Sequence, residues 1–273
     1  MAGPIIRIVS DVHYAERESR VLSLAQLRPL LEGAASFVFN GDTLDTRQGK
    51  HPHRTAERRR EVLEFAGSAG TPVTFLTGNH DPDLSRQHAM ELAGGQILVT
   101  HGDVLFDTIV PWATDAEAIR TKVVRALAAE PGDGAPGLEF RLNAFRSVAA
   151  SISRHYPPDE GRLSHAFRLA GDTVWPPHKA LRILRAWREA PGRAAAFAAE
   201  HRPSARFILI GHTHRPGVWQ TESGITVVNT GSFCRPFGAM LAEVTPGALR
   251  IRRVKRRRGE FHPGPTVAEF ALS

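Results

Sequence analysis

Two textures alternate along the chain. From residue 5 to about 103, and again from about 206, short apolar and β-branched runs stop abruptly at polar clusters; between these blocks, apolar residues recur every three or four positions. The first texture predicts buried strands and the second amphipathic helices. In the first block, residues 5–10, 37–39, 73–76 and 96–100 read as strands. A polar loop at 14–19 leads into a helix with Leu22, Leu24, Leu27, Leu30 and Leu31 on one face, Ser19 placed as its N-cap and Gly33 as its stop. A second helix over 55–66 turns Val62, Leu63 and Phe65 inward.

The last block reads as a strand at 206–210, a hairpin of 218–221 and 225–228, and two strands at 239–244 and 249–254 joined by Pro246-Gly247. Helices alternate with strands early and hairpins come late, which argues for a layered α/β fold with mixed sheets. Across residues 104–203 the strand signals vanish. Helices are expected there over 114–129, 138–154, 163–169, 177–189 and 192–201, with 131–137 as a flexible loop. The expectation is one domain over residues 1–273 carrying a helical insertion at 104–203. Phe140, Phe145, Phe167, Trp175, Trp187 and Phe197 fall in that insertion, as core or as a cap that selects substrate.

Composition narrows the setting. The 273 residues, 42% hydrophobic, suffice for one large core or two small ones. Cys234 is the single cysteine, which excludes an intrachain disulfide and fits a reducing compartment; its reading is a small buried residue, not a nucleophile. No basic leader with an apolar stretch opens the chain and no apolar run nears about 18 residues, so a cytoplasmic protein without a membrane span is expected. The net charge of +7 suits phosphorylated, nucleic-acid or anionic-lipid partners. Abundant arginine with scarce lysine, amid many alanines, glycines and prolines, also reads as a coding bias that raises the pI without any partner.

The chemistry sits where strands stop. Asp11-Val12-His13 follows the first strand, and on extended backbone positions i and i+2 point to one side, so a carboxylate and an imidazole can converge. Four more strand ends carry Asp42 with Asp45, then Asn79/His80/Asp81, His101, and His212/His214. Sites in α/β sheets form beyond the carboxyl ends of strands. Gly41, Gly78, Gly102 and Gly211 stand beside these residues and permit abrupt turns. Oxygen and nitrogen donors without sulfur suit manganese, iron, zinc or nickel. There are more donors than one ion uses, so a pair of ions is expected, with a carboxylate between them; Asp42 is the candidate.

Asp11-x-His13, Gly41-Asp42-x-x-Asp45, Gly78-Asn79-His80-Asp81, His101-Gly102-Asp103 and Gly211-His212-x-His214, in that order, resemble the signature of the calcineurin-like metallophosphoesterases. The resemblance implies a four-layer α-β-β-α sandwich with two divalent ions, manganese foremost. One ion would take Asp11, His13, Asp42 and His214, the other Asp42, Asn79, His101 and His212. His80 would stabilise charge or protonate the leaving oxygen, and Asp45 would orient it. The reaction implied is hydrolysis of a phosphomonoester, phosphodiester or pyrophosphate by hydroxide generated at the ions. The family often has arginine directly after the second Asp of its second block; here Thr46 intervenes before Arg47, which leaves the role of Arg47, a weak substrate-binding candidate, open. Arg235, after the Gly231-Ser232 turn, is a second weak candidate for gripping phosphate, with a surface arginine as the plain reading.

Three alternatives follow. UDP-2,3-diacylglucosamine hydrolases resemble this plan, with a helical lid that takes acyl chains, but that group typically has arginine in place of His80; a lipid substrate is therefore a secondary reading. The run from Leu249 to Arg258 is the solvated face of a final strand and its exit, or else a phosphate-backbone patch that would make the protein a nuclease. A non-catalytic metal-binding scaffold of the same fold is the third. Histidines outside the signature (His51, His53, His88, His155, His165, His178, His201 and His262) read as structural or surface residues, with His51 and His53 able to rim the site.

Overall fold

The computed structural model describes residues 3–49, 51–129, 137–153 and 177–272. Its strands are β1 (Ile6–Val9), β2 (Ser36–Asn40), β3 (Val73–Leu76), β4 (Ala89–Leu92), β5 (Ile97–Thr100), β6 (Phe207–Ile210), β7 (Gly217–Gln220), β8 (Thr226–Asn229), β9 (Met240–Thr245), β10 (Ala248–Arg257) and β11 (Glu260–Ala271). The helices are α1 (Arg28–Leu31), α2 (Pro52–Gly67), α3 (Ala116–Leu127), α4 (Leu138–Ala150) and α5 (Pro177–His201). One sheet runs β11-β10-β9-β1-β2-β3 and the other β4-β5-β6-β8-β7. In each, the parallel strands lie side by side, β1-β2-β3 in the first and β5-β6-β8 in the second.

Alternation along the strands builds the layers. Ile8, Val38, Ile97, Val99, Phe207 and Leu209 fill the space between the sheets. The opposite faces go outward: Val9, Phe37 and Phe39 pack on Leu30, Val62 and Phe65, while Leu98, Ile208 and Ile210 pack on Ile119, Phe145 and Ala194. Side chains of successive residues leave opposite faces of a strand, so each sheet is apolar on both sides and needs helices outside. The result is the α-β-β-α sandwich. The described helices of the 104–203 segment are its fourth layer.

Four expectations about elements change. Ser19 caps no helix; its hydroxyl donates to the Val12 carbonyl (2.7 Å) and accepts from the Val21 N–H (3.2 Å). Instead a 3-10 turn at Leu24–Leu27 leads into the single turn of α1, and the Gln26 side chain accepts from the N–H groups of Leu22 and Ser23. Leu22, ahead of that turn, is exposed, and so is Leu63 of α2, whose buried face is Val62 and Phe65. Residues 177–189 and 192–201 join in one helix despite Pro191. Proline removes the donor for the carbonyl four residues back, and Arg215 supplies a replacement, donating to the Trp187 carbonyl at 3.4 Å. The arginine-rich run is no final strand: β10 is covered by β11, the true edge, which was not anticipated because Pro263, Gly264 and Pro265 interrupt its pattern. The expected helix at 163–169, together with His155, His165, Phe167 and Trp175, lies outside the described residues.

Arg7, alone among the apolar residues of β1, is buried because its donors are met. Nε pairs with Glu243 of the adjacent β9 at 2.9 Å, and one NH group reaches the carbonyls of Leu30 and Glu32 at the end of α1.

Candidate metal centre

Asp11 and His13 converge by a turn, not by the pleat expected from sequence. β1 ends at Val9, and Asp11 and His13 have φ of 53° and 47°; Asp42, His212 and His214 are also left-handed, at 52°, 64° and 60°. Such φ values are uncommon outside glycine, and their concentration marks strain gathered at a site. The loops after β1 and β2 are laced together: the Asp11 N–H donates to Gly41 O (3.1 Å) and the His13 N–H to Asp42 O (2.9 Å). Close approach explains two glycines. A Cβ at Gly78 would overlap Asp42, and one at Gly211 would overlap the Asp11 carboxylate and Ser10.

Asp81, given no role from sequence, is the clasp of this arrangement. Fully buried, its carboxylate accepts the N–H groups of Gly78 (2.6 Å), Asp42 (2.9 Å) and Thr43 (2.6 Å), binding the loop after β3 to the loop after β2. Burial and the neighbouring Asp42 push its pKa up to about 6.

The nine signature side chains, Asp11, His13, Asp42, Asp45, Asn79, His80, His101, His212 and His214, meet in one place. Asp42 Oδ2 is the hub, 3.2 Å from His101 Nε2, 3.7 Å from His13 Nε2 and 4.0 Å from His80 Nε2. On one side, Asp11 Oδ1 lies 3.2 Å from His214 Nε2 and 3.8 Å from His13 Nε2, and the two imidazole nitrogens are 3.1 Å apart. On the other, His212 Nδ1 faces Asn79 Oδ1 at 2.9 Å. Among the described residues, three donor groups are compact enough to hold an ion: Asp11/His13/His214, His13/Asp42/His80 and Asp42/His101/His212.

Tautomers sharpen this geometry. A backbone carbonyl only accepts, so His101 Nδ1–H donates to Asn40 O (3.0 Å) and His212 Nε2–H to Ile109 O (2.8 Å). In the neutral rings, His101 Nε2 and His212 Nδ1 are therefore lone pairs aimed inward. His101 Nε2 is buried, close to Asp42, and makes no aligned hydrogen bond. Buried polar atoms ordinarily find partners. An orphan nitrogen beside a carboxylate, together with facing acceptors, fits divalent cations of the borderline class.

The electrostatics agree. Burial would raise the Asp11 and Asp42 carboxyls, but surrounding histidines hold both below the ordinary range, His13 and His214 for Asp11, His101 and His80 for Asp42. Burial would lower His101, yet Asp42 and Asp11 push it up to about 10. His212 is held down to about 4 by burial and by His101.

The helical layer touches the centre at three points that the sequence did not disclose. Ile109, in the segment leading to α3, supplies the carbonyl for His212. Arg146 of α4 pairs with Asp103 beside β5, both buried. Trp187 of α5 donates its indole N–H to Thr213 O (2.8 Å), between His212 and His214, and its ring meets Phe237 edge-on at 5.9 Å. Among the arginines considered from sequence, Arg47 grips Asp45 with two N–H groups (3.1 and 2.8 Å) and approaches His80 Nδ1 at 3.0 Å; Asp45 Oδ2 lies 3.2 Å from the same nitrogen. Arg235 is exposed. Cys234 is buried, and burial pushes its thiol up to about 12. His88 is tied to Thr77 and Asn143, a structural role.

The family profile of calcineurin-like phosphoesterases matches residues 5–216, and the chain belongs to that family. Membership supports a metal-dependent phosphoesterase. No curated protein matches the chain in sequence. Among solved structures it is similar to Vacuolar Protein Sorting 29 from Cryptosporidium parvum (13% identity, TM-score 0.46, covering 99% of this chain and 100% of that one). It is also similar to a dimetal phosphatase from Danio rerio (15% identity, TM-score 0.49, covering 100% and 99%). No helix among the described residues is long and apolar enough to cross a membrane.

Proposed function

We propose that the chain is a phosphohydrolase working with two divalent ions, cleaving a phosphomonoester, phosphodiester or pyrophosphate of a small molecule or lipid. Asp11, His13, Asp42 and His214 would hold one ion, and Asp42, Asn79, His101 and His212 the other. The observation that carries this reading is Asp42 Oδ2, shared between imidazoles of both donor groups. When bound, the ions supply Lewis acidity, bringing a water toward ionisation near neutral pH and offsetting phosphoryl charge. His80 does the protein's part of the chemistry. Its Nδ1 is held by Asp45 when that nitrogen carries a proton and by Arg47 when it does not, and its partly exposed ring presents Nε2 to the incoming substrate, where it can hold developing charge or give a proton to the leaving oxygen. Arg47, spent on Asp45 and His80, positions that ring. Manganese is the first choice of ion, with iron, zinc and nickel as alternatives.

The test is to strip the protein, reload it with each of these metals in turn, and follow hydrolysis of p-nitrophenyl phosphate and bis-p-nitrophenyl phosphate beside elemental analysis. Two ions per chain and metal-dependent turnover are expected. Asp42→Ala should lose at least one ion and about a thousandfold or more in kcat, since one carboxylate serves both ions. Full metal content in that variant would refute the shared role, and two bound ions with no turnover on any phosphate ester would leave a scaffold.

A further inference from the structure

A cleft of about 310 Å³ lies between the segment that joins β5 to α3 and the helices α3 and α5. Phe106, Asp107, Thr108 and Pro111 of that segment line it, together with Arg120 of α3 and Arg182, Arg185 and Arg193 of α5. Positions 182, 185, 189 and 193 share one face of α5 by their spacing of three or four. Glu189, at the centre of that face, accepts from Arg185 Nε (2.6 Å) and from Arg193 Nε and NH2 (3.1 and 3.0 Å). Arg193 is further pinned over the Phe106 ring, 5.3 Å from its centre, and to Leu105 O. Arg182 donates to Ala113 O (3.4 Å) and Arg120 to Glu117 (2.9 Å), while Asp107 is engaged from outside by Arg141 at 3.4 Å.

Five guanidinium groups thus meet three carboxylates around the cleft, an excess of two positive charges. Arg193 is spent, but Arg120, Arg182 and Arg185 each keep N–H groups without a partner among the described residues. Like charges three apart on a helix repel. Arginine forks already anchored at one edge lose less freedom on binding and match phosphoryl oxygens bidentately. We propose that this cleft binds a phosphoryl dianion, at a site separate from the metal centre.

The chain between the lining residues Thr108 and Pro111 links the two places. Ile109 has φ of 56°, which a β-branched residue rarely adopts. Its carbonyl holds His212, whose ring is flanked by those of Phe106 (6.1 Å) and Trp112 (5.5 Å). An anion in the cleft would bear on the segment that orients His212. The dianion could be a second phosphoryl group of the substrate or a free phosphate.

The test needs no metal and does not depend on the proposed reaction. Inorganic phosphate is titrated calorimetrically into chelator-stripped protein, wild type beside the cleft variant, so that binding in the cleft is told from binding at the histidines of the metal centre. One site is expected, weakening as salt is raised. Arg182→Gln/Arg185→Gln should weaken it roughly tenfold or more, with thermal midpoint and far-ultraviolet circular dichroism checking the fold; should the pair unfold, Arg182→Gln alone is expected to weaken it several-fold. In the loaded enzyme, a raised KM for a bisphosphorylated substrate but not for p-nitrophenyl phosphate assigns the site to the substrate. A phosphate-dependent change in kcat on p-nitrophenyl phosphate, lost in the variant, assigns it to an effector. No binding to stripped protein, or equal binding by wild type and variant, would overturn the proposal.

Discussion

The two halves of the candidate centre meet solvent differently. Asn79, His101 and His212 are 2%, 0% and 3% exposed, whereas the His80 and His214 side chains are 29% and 26% exposed. The enclosed half lies where the second sheet meets the helical layer, its histidines fixed by carbonyls of Asn40 and Ile109. The open half lies on loops, with Phe237 beside His214 at 5.8 Å. Asp11 and His13 of the open half are themselves buried, at 0% and 5% exposed, so its opening to solvent lies at His214 and the neighbouring His80. A phosphoryl group would arrive over His80 and His214, and an ion in the enclosed half would exchange slowly.

Paired substitutions put that difference at risk. His101→Ala should abolish binding at the enclosed half and cost two to three orders of magnitude in kcat, whereas His214→Ala should weaken the open half and be partly restored by excess metal. Stopped-flow removal of metal by a chelator should be biphasic in wild type. A single phase, or equal rescue of both variants, would show the halves to be equivalent.

The enclosed half also bears on stability. Arg146→Ala leaves Asp103 buried and unpaired, which should cost about 3–5 kcal/mol in denaturant unfolding at neutral pH. Burial would raise the Asp103 carboxyl, but Arg146, His101 and His212 hold it below its ordinary range. A group depressed on folding stabilises above its unfolded pKa and loses that contribution as pH falls. The gap between wild type and variant should therefore narrow toward pH 3; a constant gap would mean that charge is not its cause.

Metal uptake supplies a pH test. Because Asp42 and Asp11 push His101 up to about 10 against its burial, an ion binding at Nε2 at neutral pH must displace a proton. Affinity at the enclosed half should rise about tenfold per pH unit between pH 6 and 9. His212, held near 4, adds no slope there. Calorimetry in buffers of different ionisation enthalpy counts the proton, and a count of zero would contradict the assignment. The smallest effect is expected from Trp187→Phe, which removes one hydrogen bond to Thr213 O, worth about 0.5–1.5 kcal/mol. It should alter the open half's metal affinity more than the enclosed half's.

The donors were legible because each is a short polar cluster at the end of an apolar strand, and strand ends are what an α/β sheet brings together. The helical layer's contribution was not. Ile109 acts through its carbonyl, which any residue carries, and Arg146 and Trp187 lie at ordinary helical spacing, so nothing in the sequence sets them apart from core or surface residues. β4 escaped notice because Ala-Met-Glu-Leu has weak strand character, and the union of the two halves of α5 escaped because the acceptor rescue by Arg215 comes from another part of the chain. Asp11 and His13 converge through a left-handed turn, whereas their i, i+2 spacing in sequence implies extended backbone.

Cys234 has a practical consequence. The single sulfhydryl of the chain is buried, and burial favours its protonated form, so little reaction with maleimides is expected under mild conditions. A cysteine introduced at the exposed Leu184 would then be the sole position to take a fluorophore or spin label. Motion of α5 could be followed spectroscopically without first removing a native thiol.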